Sequence, residues 1–177
     1  MSKIALAFLL LTAAWTSRAA DPPPTTLRGI LLEQLKTTHN NKDWFVPVMN
    51  SLEGLTPQQA SWKDASGGHS AGQLANHLLF WNSRELAKIK GEKAAPFSGN
   101  NDETFNAFDA KVWSRTLAQL EQVLTDLEKF VETADEPKLQ KWASDLAHIG
   151  THNAYHTGQI ISVRKLQGSW DPAKGVK

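Results

Sequence analysis

Residues 151–160 carry the sequence THNAYHTGQI, which places two imidazoles, His152 and His156, four residues apart. The segment is predicted to lie in a long helix, where residues four apart share one face and are separated by one turn. Both rings could therefore reach one metal ion, and imidazole is a good ligand for zinc, nickel, copper and iron. Function then depends on whether a third ligand comes from elsewhere in the fold.

Helical patterns continue on both sides of this stretch, and no segment shows the alternation and β-branched enrichment typical of strands. Four helices are predicted, over residues 26–52 with a kink or break at Pro47, 70–90, 105–133 and 144–166. Thr56 is expected to cap a short turn at residues 57–60, and residues 94–104 are expected to form a loop. Four amphipathic helices with short and medium links predict an all-α fold, a four-helix bundle.

The second predicted helix carries another histidine, His77, on its apolar face. Helical bundles build metal sites from inward side chains on facing helices. With His152 and His156, His77 would complete a three-imidazole site with open positions, the pattern of catalytic rather than structural zinc. Two alternatives stay open: a pair of histidines four apart arises by chance, and a single histidine on an apolar face is more often a hydrogen-bonded core residue.

Three further histidines are weaker candidates as ligands. His148 lies two turns before His156, about 12 Å away along the helix axis, so the two cannot easily share an ion. His148 could instead replace one ligand, line a pocket or lie on the surface. His69 is predicted to be a loop residue with local hydrogen bonds, and His39 a partly exposed helix residue.

Polar neighbours could orient the ligands. Side chains able to fix imidazole tautomers are those of Asn153, Gln159 and Asn76. Glu85 could face the same pocket, although a salt bridge is its favoured role. Trp81 could wall the pocket, and most tryptophans are expected to pack between helices. No Ser-His-Asp pattern, phosphate-binding glycine loop or HExxH motif is present, so no catalytic residue and no organic cofactor site is nominated.

The first 19 residues are predicted to be a cleaved signal peptide. Lys3 precedes an apolar run over residues 4–15, which is too short to span a bilayer comfortably. Small residues before Ala19 indicate cleavage there, with Ala20 as an alternative, and the prolines at 22–24 argue against a buried N-terminal helix. We therefore expect one domain over residues 20–177, in the periplasm or secreted, with no stable membrane anchor after cleavage.

Composition excludes several classes of function. The chain has no cysteine, which excludes disulfides, thiolate ligands, a cysteine nucleophile and a lipidated cysteine. Loss of Lys3 and Arg18 with the signal reduces 19 basic residues to 17, against 18 acidic ones, a net charge of −1. Such a chain has no basic field for nucleic acid, and no nucleic-acid partner is expected.

Two motifs together resemble the DinB/YfiT-like superfamily: SAGQLANHL at residues 70–78 and HNAYHTGQI at residues 152–160. The similarity extends over about residues 27–170. It implies a four-helix bundle that holds a divalent metal ion through His77, His152 and His156. Relatives carry zinc, nickel or other divalent ions, and some are transferases or isomerases that depend on low-molecular-weight thiols. Asn153 departs from the pattern, because many relatives have aspartate there.

The sequence therefore predicts an exported, DinB-like, metal-dependent enzyme. Its reaction would be of the thiol-dependent transferase or hydrolase type, on an unidentified small molecule. The expected cofactor is a divalent ion, zinc or nickel first, with iron or manganese as candidates. A non-catalytic metal- or ligand-binding bundle is the alternative, and a purely structural bundle with chance histidines is the third interpretation. Homodimerisation is an open expectation.

Overall fold

The computed structural model describes residues 23–65 and 67–176, and their regular structure is helical. The predicted signal peptide and its cleavage site lie outside these residues. The helices are α1 (Leu27–His39), α2 (Val48–Leu52), α3 (Pro57–Ser61), α4 (Ala71–Lys90), α5 (Asp102–Asn106), α6 (Trp113–Thr133) and α7 (Glu136–Gln167). Short 3-10 turns span Ala110–Val112 and Pro172–Lys174. The described ranges contain no strand, which confirms the all-α prediction.

The four long helices pack around one apolar interior. Helices α1 and α4 each contact both α6 and α7. Each long helix contributes a leucine to the core, and these are Leu35, Leu78, Leu127 and Leu146, all at most 3% exposed. The apolar stripe of α6 is the face that is buried, and no charged residue is among the buried residues of this helix. This packing brings α4 and α7, the two histidine-bearing helices, side by side.

Two predicted helix starts are confirmed by their caps. The Ser70 hydroxyl accepts from the Gln73 N–H, and the Gln73 side chain accepts from the Ser70 N–H, so α4 begins with a capping box. Thr56 and Gln59 form the same motif at α3. Helix α4 ends at Gly91, whose φ of 74° is in the left-handed region that favours glycine. The caps at Ser70 and Gly91 set the first and last residues of α4, the helix that carries His77.

The first predicted helix is wrong in extent, because the chain leaves the helix at His39, well before Pro47. Residues 40–47 are not helical, and a separate short helix begins after Pro47. Asn40, Asn41 and Asp43 have low helix propensity, and Pro47 disfavours a helical conformation for the residue before it. Of the kink or break predicted at Pro47, the structure has a break, which covers eight residues and begins well before the proline.

The third and fourth predicted helices also need correction. The segment predicted as one helix from residue 105 is divided: α5 begins at Asp102, inside the predicted loop, and the continuous helix starts only at Trp113. Helix α7 starts at Glu136, eight residues before the predicted start, because the Asp135 side chain accepts from the Lys138 N–H and caps it. Proline is tolerated in the first helical turn, so Pro137 does not separate segments there.

Tryptophans of the described ranges differ in how deeply they pack. Trp113 and Trp170 are buried, and Trp113 donates its indole N–H to the Leu55 carbonyl oxygen at 2.9 Å. Trp44 is 92% exposed and does not share the packing between helices that was expected of most tryptophans. It lies in the break between α1 and α2, where no helix carries it toward the core. None of the helices in the described ranges has the length and apolar character needed to cross a membrane.

Candidate metal centre

Three histidines from two helices meet between α4 and α7. His77 is 3% exposed and His156 is 6% exposed, while His152 is half-buried. The Nε2 atoms of His77 and His152 are 3.1 Å apart, and one ring nitrogen from each of the three lies within 4.8 Å of the others. The structure thus brings together all three residues that the sequence nominated, and we call them the histidine cluster.

The ring of His77 is held on its Nδ1 side. Its Nδ1 lies 2.6 Å from the Thr104 hydroxyl oxygen, and its face stacks on Phe105 at 3.9 Å between centroids. Both partners come from α5, a short helix whose contribution to the site was not predicted. The contact could not be predicted from the sequence, because Thr104 is 27 residues from His77 and lies in a polar segment with no recognisable motif.

His156 is held in a similar way by its own helix. Gln159 Oε1 lies 2.6 Å from His156 Nδ1, and the Gln159 amide donates to the Tyr155 hydroxyl at 3.2 Å. Because the amide nitrogen is directed to Tyr155, its oxygen accepts the Nδ1 proton, which leaves His156 Nε2 with a free lone pair. The predicted role of Gln159 is supported by this contact.

The two asparagines that the sequence suggested as tautomer partners bond elsewhere. Asn153 is fully buried and accepts from Asn82 at 2.9 Å. Asn76 donates to the Thr104 carbonyl oxygen at 2.7 Å. Asn76 therefore supports the segment that holds His77 rather than the imidazole itself, while Asn153 links α7 to α4.

Burial keeps the cluster neutral. It lowers the pKa of His77 to about 3, and repulsion from His156 and His152 adds to the shift. Burial and the neighbouring His156 lower the pKa of His152 to about 4. The pKa of His156 is also lowered by burial, against the hydrogen bond to Gln159, which acts in the opposite direction. Near pH 7 the three rings are neutral, each with one nitrogen lone pair, the form in which imidazole binds metals.

The cluster opens into a cavity of about 550 Å³, within the range of small-molecule sites. Its remaining wall is mixed aromatic, polar and acidic, formed by Trp81, Asn82, Glu85, Asn101, Phe105, Asp145, His148, Ile149 and Tyr155. Glu85 lines the cavity and also pairs with Lys88 at 3.1 Å, so both suggested roles occur. Trp81 forms part of the wall, as suggested from its position one turn after His77.

The other histidines take different positions. His148 is exposed and lines the cavity, one of the roles left open for it. His69 stacks on the face of Phe105 opposite His77, with 3.9 Å between centroids. His39 was predicted to be partly exposed, and this is wrong: it is 2% exposed, between Glu121 at 3.1 Å and Glu128 at 2.7 Å. Carboxylates on α6 supply polar partners that let the imidazole leave solvent.

The donor set fits a divalent metal ion. Two nitrogens bound to one tetrahedral zinc ion lie about 3.3 Å apart, since each Zn–N bond is about 2.0–2.1 Å, and the His77–His152 separation is close to this. The lone pairs of two ring nitrogens that face each other at such a distance repel unless a proton or a cation lies between the nitrogens. The three histidines could therefore hold a divalent ion, and neutral imidazole accommodates several metals.

Comparison with known proteins identifies the family of the chain. A family model described as the DinB family matches residues 38–173, most of the chain, and the protein belongs to that family. No curated protein and no solved structure matched the sequence. The matched range includes both helices that carry the cluster and the α5 segment that holds His77.

Proposed function

We propose that this protein binds one divalent metal ion through the histidine cluster and acts as a metal-dependent enzyme on a small molecule. The observation that carries the proposal is the convergence of three neutral imidazoles at the wall of a cavity. Three protein ligands leave at least one coordination position for another group, as catalytic zinc sites do. Zinc or nickel is the favoured ion, since nitrogen ligands suit both, with iron or manganese next.

The chain's own residues would bind and orient the reactants. Thr104 and Gln159 hold two of the imidazoles, and the aromatic rings of Trp81 and Tyr155 offer apolar wall to a bound molecule. When bound, the ion supplies Lewis-acid chemistry toward a water, thiol or carbonyl group. A thiol-dependent transferase or a hydrolase is the reaction type that we propose.

Metal binding is tested by titrating the purified metal-free chain with zinc and with nickel, and by measuring bound metal after gel filtration. The wild type should retain about one ion per chain, and a His152→Ala/His156→Ala variant should retain none. His148→Ala is the matched control, because His148 is on the same helix and lines the same cavity but lies outside the cluster. A wild type without metal, or a double variant that keeps it, would overturn the proposal.

A non-catalytic metal- or ligand-binding role is the second candidate. It is favoured by the pairing of both cavity carboxylates with one lysine: Lys88 Nζ lies 3.1 Å from Glu85 and 2.7 Å from Asp145. A carboxylate engaged in this way is a weaker general base. Assaying the metal-loaded protein for thiol transfer and for ester and amide hydrolysis decides between the two roles. Metal-dependent turnover that His77→Ala abolishes supports the enzyme, and its absence across the panel favours the binding role.

We also propose that the protein is exported and that residues 1–19 are removed. The support is the order of a basic residue, an apolar run and small residues before Ala19. Expression of the full chain in a Gram-negative host, with cell fractionation and intact-mass measurement, tests this. The mature protein should be found in the periplasm or medium with a mass that corresponds to cleavage after Ala19 or Ala20. Full-length protein in the cytoplasm would contradict export.

A further inference from the structure

Helix α5 carries Thr104, whose hydroxyl contacts His77, one of the three candidate metal ligands. Thr104 is 2% exposed and is separated in sequence from both α4 and α7. Its hydroxyl oxygen is 2.7 Å from the Asn101 carbonyl oxygen and 2.6 Å from His77 Nδ1. One buried hydroxyl therefore contacts both a backbone carbonyl and a member of the histidine cluster.

The direction of these two hydrogen bonds follows from the number of protons. A threonine hydroxyl has one proton, and the Asn101 carbonyl oxygen can only accept. The hydroxyl must therefore donate to Asn101, and it can only accept from His77. His77 then carries its proton on Nδ1, which leaves the Nε2 lone pair directed toward His152, 3.1 Å away.

Residues of α4 next to and including His77 also restrict the position of Thr104. Asn76, next to His77 in sequence, donates its amide to the Thr104 carbonyl oxygen at 2.7 Å. Phe105 stacks flat on the His77 ring, with 6° between the planes. Main chain, hydroxyl and neighbouring ring thus all restrict how Thr104 and His77 can move relative to each other.

We propose that Thr104 is a positioning residue of the metal centre, which selects the His77 tautomer whose Nε2 lone pair is available to a divalent ion. The inference rests on the proposed metal-binding function. Hydrogen-bond partners of this kind orient ligating imidazoles and change metal affinity by about 10–100-fold when removed. The Thr104 hydroxyl is the hydrogen-bond partner that the structure gives to His77 Nδ1.

The test compares Thr104→Val with Thr104→Ser. Valine preserves shape and removes the acceptor, while serine restores the hydroxyl on a smaller side chain. Zinc affinity, measured by competition with a chromophoric chelator, should fall about 10–100-fold in Thr104→Val and remain within about threefold of wild type in Thr104→Ser. Thr116→Val is the control, because Thr116 is equally buried but lies on α6 and bonds only to backbone. It should leave zinc affinity unchanged.

A second measurement requires neither metal nor a folded variant. Nitrogen-15 NMR of the metal-free wild type at pH 7 should show His77 protonated on Nδ1 and not on Nε2. The opposite tautomer would overturn the proposal whatever the variants do. Unchanged zinc affinity in Thr104→Val would overturn it as well, as would a failure of serine to restore affinity, which indicates a purely structural role. A wild type that binds no zinc would instead refute the metal-binding function, and the NMR result would still establish the tautomer.

Discussion

His39, on α1, and the histidine cluster, on α4 and α7, are both packed between helices, but they differ in the charges around them. His39 lies between two carboxylates on α6, each within 3.1 Å of a ring nitrogen. The cluster residue His77 faces a hydroxyl, an aromatic ring and other imidazoles. Burial by itself acts on both sites in the same direction, by lowering the pKa of the imidazole.

The neighbouring charges reverse this effect at only one site. At His39 the hydrogen bond to Glu128 and the charges of Glu121 and Glu128 together outweigh burial and raise the pKa. At His77 no carboxylate opposes burial, and the pKa falls to about 3. The first environment holds a proton between two anions as a structural ion pair, whereas the second leaves lone pairs available for a cation. This difference separates a structural histidine from a candidate ligand.

The largest expected effect is stabilisation by metal at the cluster alone. Free zinc at about 1,000 times its dissociation constant should raise the free energy of unfolding of the wild type by about 4 kcal/mol. His77→Ala should lose this increment, and His39→Gln should keep it, even though both variants remove a buried imidazole. Urea unfolding with and without zinc measures this zinc-dependent increase in the free energy of unfolding. Equal loss of the increment in both variants would contradict the distinction between the two sites.

Removal of the structural histidine should have the next largest effect. His39→Gln leaves two carboxylates without their shared partner, and Glu128 is only 15% exposed. We expect a loss of about 3 kcal/mol in the free energy of unfolding, within the range for a broken buried ion pair. Glu121→Gln should lose no more than about 1 kcal/mol, because Glu121 is 45% exposed. A near-neutral His39→Gln in metal-free urea unfolding would show that the pair does not stabilise the fold.

The pH dependence of stability should have opposite signs at the two sites. The folded-state pKa of His39 lies above the unfolded value of 6.5, so its stabilisation is complete below that pH and is lost as pH rises through the folded pKa. The folded-state pKa values of His77 and His152 are about 3 and about 4, so stability is lost as pH falls from 6.5 toward 4.

Each titrating group contributes up to about 1.4 kcal/mol per pH unit within its own range. Unfolding of metal-free protein between pH 4.5 and 9 checks this. The difference in the free energy of unfolding between wild type and His39→Gln should narrow as pH rises above 6.5. The decrease in the free energy of unfolding as pH falls below 6.5 should be smaller in His77→Leu than in wild type. Parallel curves for all three proteins would mean that neither site has the expected proton affinity.

The smallest expected effect is at the exposed end of the cluster's hydrogen-bond network. Tyr155 is 64% exposed, and its hydroxyl accepts from the Gln159 amide. Tyr155→Phe should change the free energy of unfolding by less than about 0.5 kcal/mol. Zinc affinity should change by about twofold at most, the equivalent of about 0.4 kcal/mol. A tenfold loss in isothermal titration would show that Tyr155 takes part in the site directly.

The sequence predicted the cluster well because its residues lie on regular helices. Spacing placed His152 and His156 on one face, and the capping box at Ser70 fixed the start of the helix that carries His77. Gln159 was within one turn of its partner, so its role could also be predicted. Helical periodicity is enough for contacts of this kind, since it fixes which side chains are neighbours.

Contacts that depend on irregular segments were not predictable in this way. Thr104 reaches His77 only because residues 91–112 fold back over α4, and no periodic pattern specifies that path. His39 was predicted to be partly exposed, and its burial was missed because its carboxylate partners are more than 80 residues away on α6. The start of α7 was predicted eight residues too late because the residue type of its cap, Asp135, occurs in loops as well as at helix starts. In each case the decisive interaction is a tertiary or cap contact, which single-sequence periodicity does not contain.

The most direct test of the central claim is anomalous diffraction from crystals of the zinc-loaded protein, with data on both sides of the zinc absorption edge. We predict one strong peak per chain, bounded by the Nε2 atoms of His77, His152 and His156. No peak between these three nitrogens, or a peak between His39, Glu121 and Glu128 instead, would contradict the assignment of the cluster as the metal centre.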